Sequence, residues 1–124
     1  MNSAFKAMVQ KRAKYQNKKT TVDGITFDSR AEAARWCALR LLEKAGAISD
    51  LKRQVPFELV PSVKLAGARA AKPAIKYVAD FTYLERGALV VEDTKSAATA
   101  KLSDFRMKLH LMKHVHGIDV RLSK

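Results

Sequence analysis

The sequence predicts a mixed α/β fold, a sheet covered by helices, and three observations carry that expectation. Leu51–Val60, Ala74–Leu84 and Ala88–Lys95 are rich in β-forming residues and bounded by turn signals, so they read as three consecutive strands. Residues 29–46 and 99–116 instead repeat apolar residues at helical spacing. Asp23-Gly24 and Arg86-Gly87 supply tight turns where strands must reverse. At 124 residues and 48% hydrophobic composition the chain can close one small core, and a second independent domain is not expected.

Residues 1–20 carry Lys6, Lys11, Arg12, Lys14, Lys18 and Lys19 with no acidic residue, and form a basic arm ahead of a domain over 21–124. Met1, Phe5, Met8, Arg12 and Tyr15 fall at helical spacing, which fits an amphipathic helix on a partner as well as a frayed terminus. Thr20–Phe27 alternates around Asp23-Gly24 and reads as a small hairpin.

Ser29 and Glu32 have the spacing of a capping box and open the first long helix, which should stop near Gly46. Ala34, Cys37, Leu41 and Ala45 make one apolar stripe, Trp36, Leu39 and Leu42 an adjoining one, and Glu32 lies one turn before Trp36. The 61–73 connection, with Pro61, Gly67 and Pro73 plus Lys64, Arg69 and Lys72, reads as an exposed basic loop. The second helix presents Leu102, Phe105, Leu109 and Met112 and ends at Gly117. Ile118–Leu122 alternates as a last short strand. The expected order is a hairpin, helix, three-strand antiparallel meander, helix and strand.

Twenty-four Lys+Arg against 12 Asp+Glu leave a net charge of +12, which recruits polyanions, and nucleic acid is the leading partner. No apolar run is long enough for a membrane span or a signal peptide, so a soluble, intracellular, cytoplasmic protein is expected. A lone Cys37 within a helical apolar pattern reads as a core thiol.

Asp80 stands in an otherwise apolar β-forming run, a costly position without a counter-charge. In the next strand the period of two puts Asp93 and Lys95 on one face and Glu92 on the other. A two-residue turn at Arg86-Gly87 pairs Glu85 with Ala88 and sets Asp80 opposite Asp93. A three-residue turn would set it opposite Glu92 instead, which keeps Glu92 in reserve as the second acid. Two carboxylates at that distance repel each other unless a hard divalent cation bridges them, and an oxygen-rich site with few protein ligands suits Mg²⁺ or Mn²⁺. With Lys95 alongside, the set points to metal-assisted phosphodiester hydrolysis, the lysine orienting water or offsetting phosphorane charge.

Glu32 in the first helix, Asp80 in the second core strand and Asp93-Thr94-Lys95 in the third resemble the PD-(D/E)xK nuclease superfamily, with Ala79 where the superfamily's name has proline. The runs 21–32, 77–81 and 90–95 further resemble a group of small phage-type endonucleases related to Holliday junction resolvases, and the likeness spans roughly residues 18–122. The resemblance implies a restriction-endonuclease-like core and a Mg²⁺-dependent DNA endonuclease, phage-encoded in a bacterial host. It implies that Asp80, Asp93 and Glu32 bind the metal, that Lys95 assists the nucleophile, and that Gln54 lies near the scissile phosphate. Branched or junction DNA is the implied substrate, and cutting both strands of it requires two sites, hence a homodimer. Lys11, Arg12, Lys14, Lys18, Lys19, Arg53, Lys64, Arg69, Lys72, Lys101 and Lys108 are the expected phosphate contacts.

Each residue also has a plainer reading. Glu32 could serve only the capping box, Asp80 an edge strand, Asp93 and Lys95 a structural ion pair, and Gln54 an exposed strand position. His110 and His114, one turn apart with His116 nearby, lack a further ligand for zinc. Tyr15, Tyr77 and Tyr83 could stack on bases but fit packing roles better. The alternatives to a DNA nuclease are a non-catalytic nucleic-acid-binding module and an RNA nuclease.

Overall fold

The computed structural model describes residues 19–123, so the expected phosphate contacts Lys11, Arg12, Lys14 and Lys18 of the basic arm lie outside the described residues. The chain divides into two compact units between Ala34 and Arg35. In the first, β1 (Thr20–Val22) and β2 (Ile25–Phe27) pair antiparallel, Thr20 with Phe27 and Val22 with Ile25, around Asp23-Gly24. The first turn of α1 (Arg30–Lys44) follows, capped as expected: the Glu32 amide donates to Ser29 Oγ at 3.1 Å.

The second unit holds the rest of α1, then β3 (Ser49–Val60), β4 (Ile75–Glu85), β5 (Ala88–Thr94), α2 (Ala97–Ala100), α3 (Ser103–His116) and β6 (Arg121–Ser123). The sheet order is β3-β4-β5-β6, an antiparallel meander closed by β6 running parallel to β5. Helix, three strands, helix and strand therefore follow one another as predicted.

Neighbouring strand residues point to opposite faces, and β5 shows what covers each. Val91 belongs to a buried cluster with Leu59, Tyr77, Ala79 and the α3 residues Phe105 and Met112. Glu92 turns the other way, to Arg35 of α1. On that second face Trp36 stacks on Phe81 with ring centroids 6.1 Å apart. Within this unit the sheet is thus packed by the Arg35–Lys44 part of α1 on one side and α3 on the other.

The structure corrects four expectations. On α1 the buried row is Glu32, Ala33, Trp36 and Leu39, whereas Ala34, Cys37 and Leu41, with Ala45 just past the helix end, are exposed, Leu41 at 68%. The face holding Trp36 is buried because its ring offers the largest apolar area and a stacking partner. Cys37 is consequently a surface thiol, expected to react stoichiometrically with a maleimide in the folded protein, as intact mass would report. The second helix is split, since Leu102 takes an extended conformation (φ −65°, ψ 136°) between α2 and α3, and Leu102 is 58% exposed rather than part of the inward stripe. Gly117, at φ 69°, ends α3 in the left-handed region that glycine adopts freely. The last strand begins only at Arg121, because Ile118 and Val120 pack against the buried cluster ahead of it.

The 61–73 connection is pinched at its neck: Val63 N–H donates to Lys72 O at 3.1 Å, as does Ser62 Oγ at 2.7 Å. Lys64 and Arg69 beyond it, and Lys72 at the neck, are exposed. No described helix is long and apolar enough to cross a membrane.

Candidate metal and phosphate site

The tight turn determines the site's register. Arg86 and Gly87 adopt φ of 53° and 78°, the pair of left-handed conformations that a two-residue hairpin loop requires. Glu85 pairs with Ala88, and the ladder runs back to Phe81 opposite Glu92. One step further lie Asp80 and Asp93, where the backbone ladder ends and a side chain takes over: Thr94 N–H donates to Asp80 Oδ2 at 2.9 Å. β6 pins the same strand end through Lys95 N–H to Ser123 O at 3.1 Å.

Asp80 and Asp93 are 8% and 1% exposed, so both acids are withdrawn from bulk water. Tyr77 Oη donates to Asp93 Oδ2 at 2.8 Å. Asp93 Oδ1 accepts no hydrogen bond and faces Lys95 Nζ at 3.6 Å. That ammonium also lies 5.6 Å from the Phe105 ring centroid, which holds the flexible lysine stem in place. Burial, followed by the neighbouring Asp80 carboxylate, pushes the Asp93 carboxyl up to about 7 against the opposing pull of Lys95 and Tyr77. Burial and then the Asp93 charge likewise raise the Tyr77 phenol, so it remains a proton donor.

The adjoining acid has a different environment. Glu92 is fully buried, and Arg35 grips it with Nε to Oε2 at 2.7 Å and Nη2 to Oε1 at 2.9 Å, while Tyr83 Oη donates to Oε1 at 2.8 Å. Burial works to raise this carboxyl, but the hydrogen bonds from Arg35 and Tyr83 outweigh it and hold Glu92 below the usual glutamate range. Its oxygens are already occupied by a cation and a phenol, so Asp93, not Glu92, is the acid available beside Asp80.

Gln54 lies between the rungs Arg53–Phe81 and Val55–Ala79, level with Asp80 on the neighbouring strand, and is exposed. Its φ of 51° is a left-handed conformation inside a strand, a strain that a non-glycine residue bears at a cost of about 1 kcal/mol. Gln54, Asp80 and Asp93 thus form a row across three strands. Glu32 is buried in the other compact unit, where its amide completes the Ser29 cap.

Among the expected phosphate contacts, Lys19, Lys64, Arg69, Lys72 and Lys101 are exposed and Lys108 is half-buried. Arg53 instead holds its guanidinium over Trp36 at 5.8 Å. His116 Nε2 is 2.7 Å from Glu58 O, and no group of three or more His, Cys, Asp or Glu among the described residues could hold a metal. Two roles escaped the sequence reading. Tyr77 reads as a packing residue in the sequence, since its offset of three from Asp80 sets the two on opposite faces of a regular strand. Arg35 had no local signal, since its partner lies 57 residues away.

The donor set fits a hard cation that keeps most of its waters: two buried carboxylates, one with an oxygen that accepts no hydrogen bond, and no thiol or imidazole. Tyr77→Phe is expected to free Asp93 Oδ2 and weaken Mn²⁺ binding about 10–100-fold, readable by titration calorimetry, because residues that orient a ligand carry effects of that size.

No curated protein and no solved structure matches the chain. Residues 12–123 match the sequence model of DUF1064, described as "Protein of unknown function", and the chain belongs to that family.

Proposed function

We propose that the chain is a metal-dependent endonuclease that hydrolyses DNA phosphodiesters, with Mg²⁺ or Mn²⁺ as cofactor held by Asp80 and Asp93. The observation that carries this reading is the buried Asp80–Asp93 pair, in which burial and then the neighbouring Asp80 raise Asp93, whose hydrogen-bond-free Oδ1 faces Lys95. Burying two such charges is unfavourable for stability alone, and strongly perturbed acids cluster where chemistry is done. The net charge of +12 supplies the attraction for a polyanion.

When bound, the metal supplies a Lewis acid that draws charge from the phosphoryl oxygen and acidifies a water. Tyr77 fixes one oxygen of Asp93, which leaves Oδ1 as the one presented to the site. Lys95 offsets negative charge on the five-coordinate phosphorus and orients the attacking water. Gln54, level with Asp80, is suited to donate its amide to a phosphate oxygen. Glu32 enters only through the family resemblance, as a further acid for the metal. Branched DNA as substrate and a homodimer that cuts both strands rest on the same resemblance.

The test is a panel of labelled four-way junction, flap, duplex, single-stranded DNA and RNA substrates with Mg²⁺ or Mn²⁺. Metal-dependent DNA cleavage is expected; cleavage of RNA alone would make the protein a ribonuclease, and binding without cleavage a nucleic-acid-binding module. Binding through backbone charge should also weaken steeply with salt, with a log–log slope of about −0.9 per duplex phosphate neutralised, measured by fluorescence anisotropy.

A further inference from the structure

The break between α2 and α3 opens a cleft of about 350 Å³ whose wall includes Lys95. An unbroken helix through Lys101 and Leu102, as the apolar spacing predicts, would not place Leu102 as an extended, 58% exposed apolar residue at its mouth. The geometry points to this cleft as a subsite for the nucleotide next to the scissile phosphate, an inference that rests on the nuclease reading and extends it to substrate positioning.

Three features support that occupant. Lys95 belongs to both places: its ammonium faces Asp93 Oδ1 at 3.6 Å, and its side chain lines the cleft over the Phe105 ring. A phosphodiester at the carboxylate pair therefore leads the adjoining nucleotide toward the cleft. The lining also mixes the chemistries that a nucleotide needs. Lys108 offers an ammonium to phosphate oxygens, Leu102 an apolar surface to a base or sugar, and Asp104 an acceptor to an exocyclic base amine. A bare phosphate would leave Leu102 unused and meet repulsion from Asp104, so the lining selects a nucleotide over the inorganic ion. Finally, the volume sits at the small end of the range that encloses small organic ligands, consistent with one residue of a polymer rather than a whole cofactor.

The experiment titrates the full chain with a 5′-phosphorylated deoxyadenosine dinucleotide and, separately, with inorganic phosphate, following backbone amides by NMR. Saturable shifts at Thr99, Leu102 and Ser103 with the dinucleotide, and none at Leu102 with phosphate, are expected. In a Leu102→Glu variant with a native-like spectrum those shifts should vanish, and KM for DNA should rise about tenfold while kcat is retained, the signature of lost uniform binding. No saturable shifts, equal shifts with phosphate, or an unchanged KM in the variant would overturn the subsite. Dinucleotide binding by a wild-type chain that cleaves no DNA would support the cleft and overturn catalysis, so the two readings fail separately.

Discussion

Asp80→Asn is expected to lower DNA cleavage about 10³-fold or more while DNA binding persists, since one metal ligand and its charge are lost from the transition state. The same substitution should stabilise the metal-free protein, because it removes the carboxylate that repels Asp93. Asn retains a carbonyl oxygen able to accept from Thr94 N–H, the bond Asp80 makes at 2.9 Å, so local structure should survive.

The pH dependence follows from the direction of the Asp93 shift. Its folded value of about 7 lies above the unfolded aspartate value of about 3.9, so the folded chain binds the extra proton between those limits. Stability from this group is full at low pH and is lost as pH rises through about 7. The thermal advantage of Asp80→Asn should therefore be small at pH 5 and larger at pH 8, on the order of 1 kcal/mol. Added Mn²⁺ should stabilise the wild type at pH 8 more than the variant. Equal cleavage by both proteins would assign the activity to another site.

Arg35→Met is expected to destabilise the fold by about 3 kcal/mol, because it strands the fully buried Glu92 without its cation. At this chain length that corresponds to a fall in Tm of roughly 10 °C. The Arg35 side chain is 29% exposed, and water can partly solvate its vacated end, which favours the lower part of the usual range. Arg35→Met combined with Glu92→Gln should recover much of the loss, as an uncharged amide leaves no buried charge and can still accept from Tyr83. Here the sign with pH is opposite to that of Asp93. Glu92 lies below its ordinary value, so its stabilising contribution is present above about pH 4.3 and is lost as pH falls through the folded value. The gap between wild type and Arg35→Met should narrow in acid, as denaturant titrations at pH 3 and pH 7 would measure.

Features fixed by short-range chemistry were legible in the sequence. Ser29 and Glu32 mark the start of α1, Asp23-Gly24 and Arg86-Gly87 mark the reversals, and counting from the second turn places Asp80 beside Asp93. Alternation then separates Glu92 from Asp93. What was hidden depends on which faces meet. Apolar residues surround much of α1, and only the stacking of Trp36 on Phe81 decides that Leu41 and Cys37 stay outside. Leu102 keeps helical phase with Phe105 and Leu109, so spacing alone conceals the cap that divides α2 from α3. The Arg35–Glu92 pair joins residues 57 apart, a distance over which local pattern carries no information.

Glu92 and Asp93 are adjacent acids whose side chains differ by one methylene, yet one is saturated with donors and the other is left open. With Glu85 held opposite Ala88, a single amino acid inserted between Ala88 and Val91 would leave hydrophobicity and charge almost unchanged while bringing glutamate opposite Asp80 and turning aspartate to the other face. The smallest loop in the sheet is thus the origin from which the frame is counted: indels between it and the acids would be silent to composition and ruinous to chemistry, whereas the broad 61–73 excursion can vary in length without changing which acid faces Asp80.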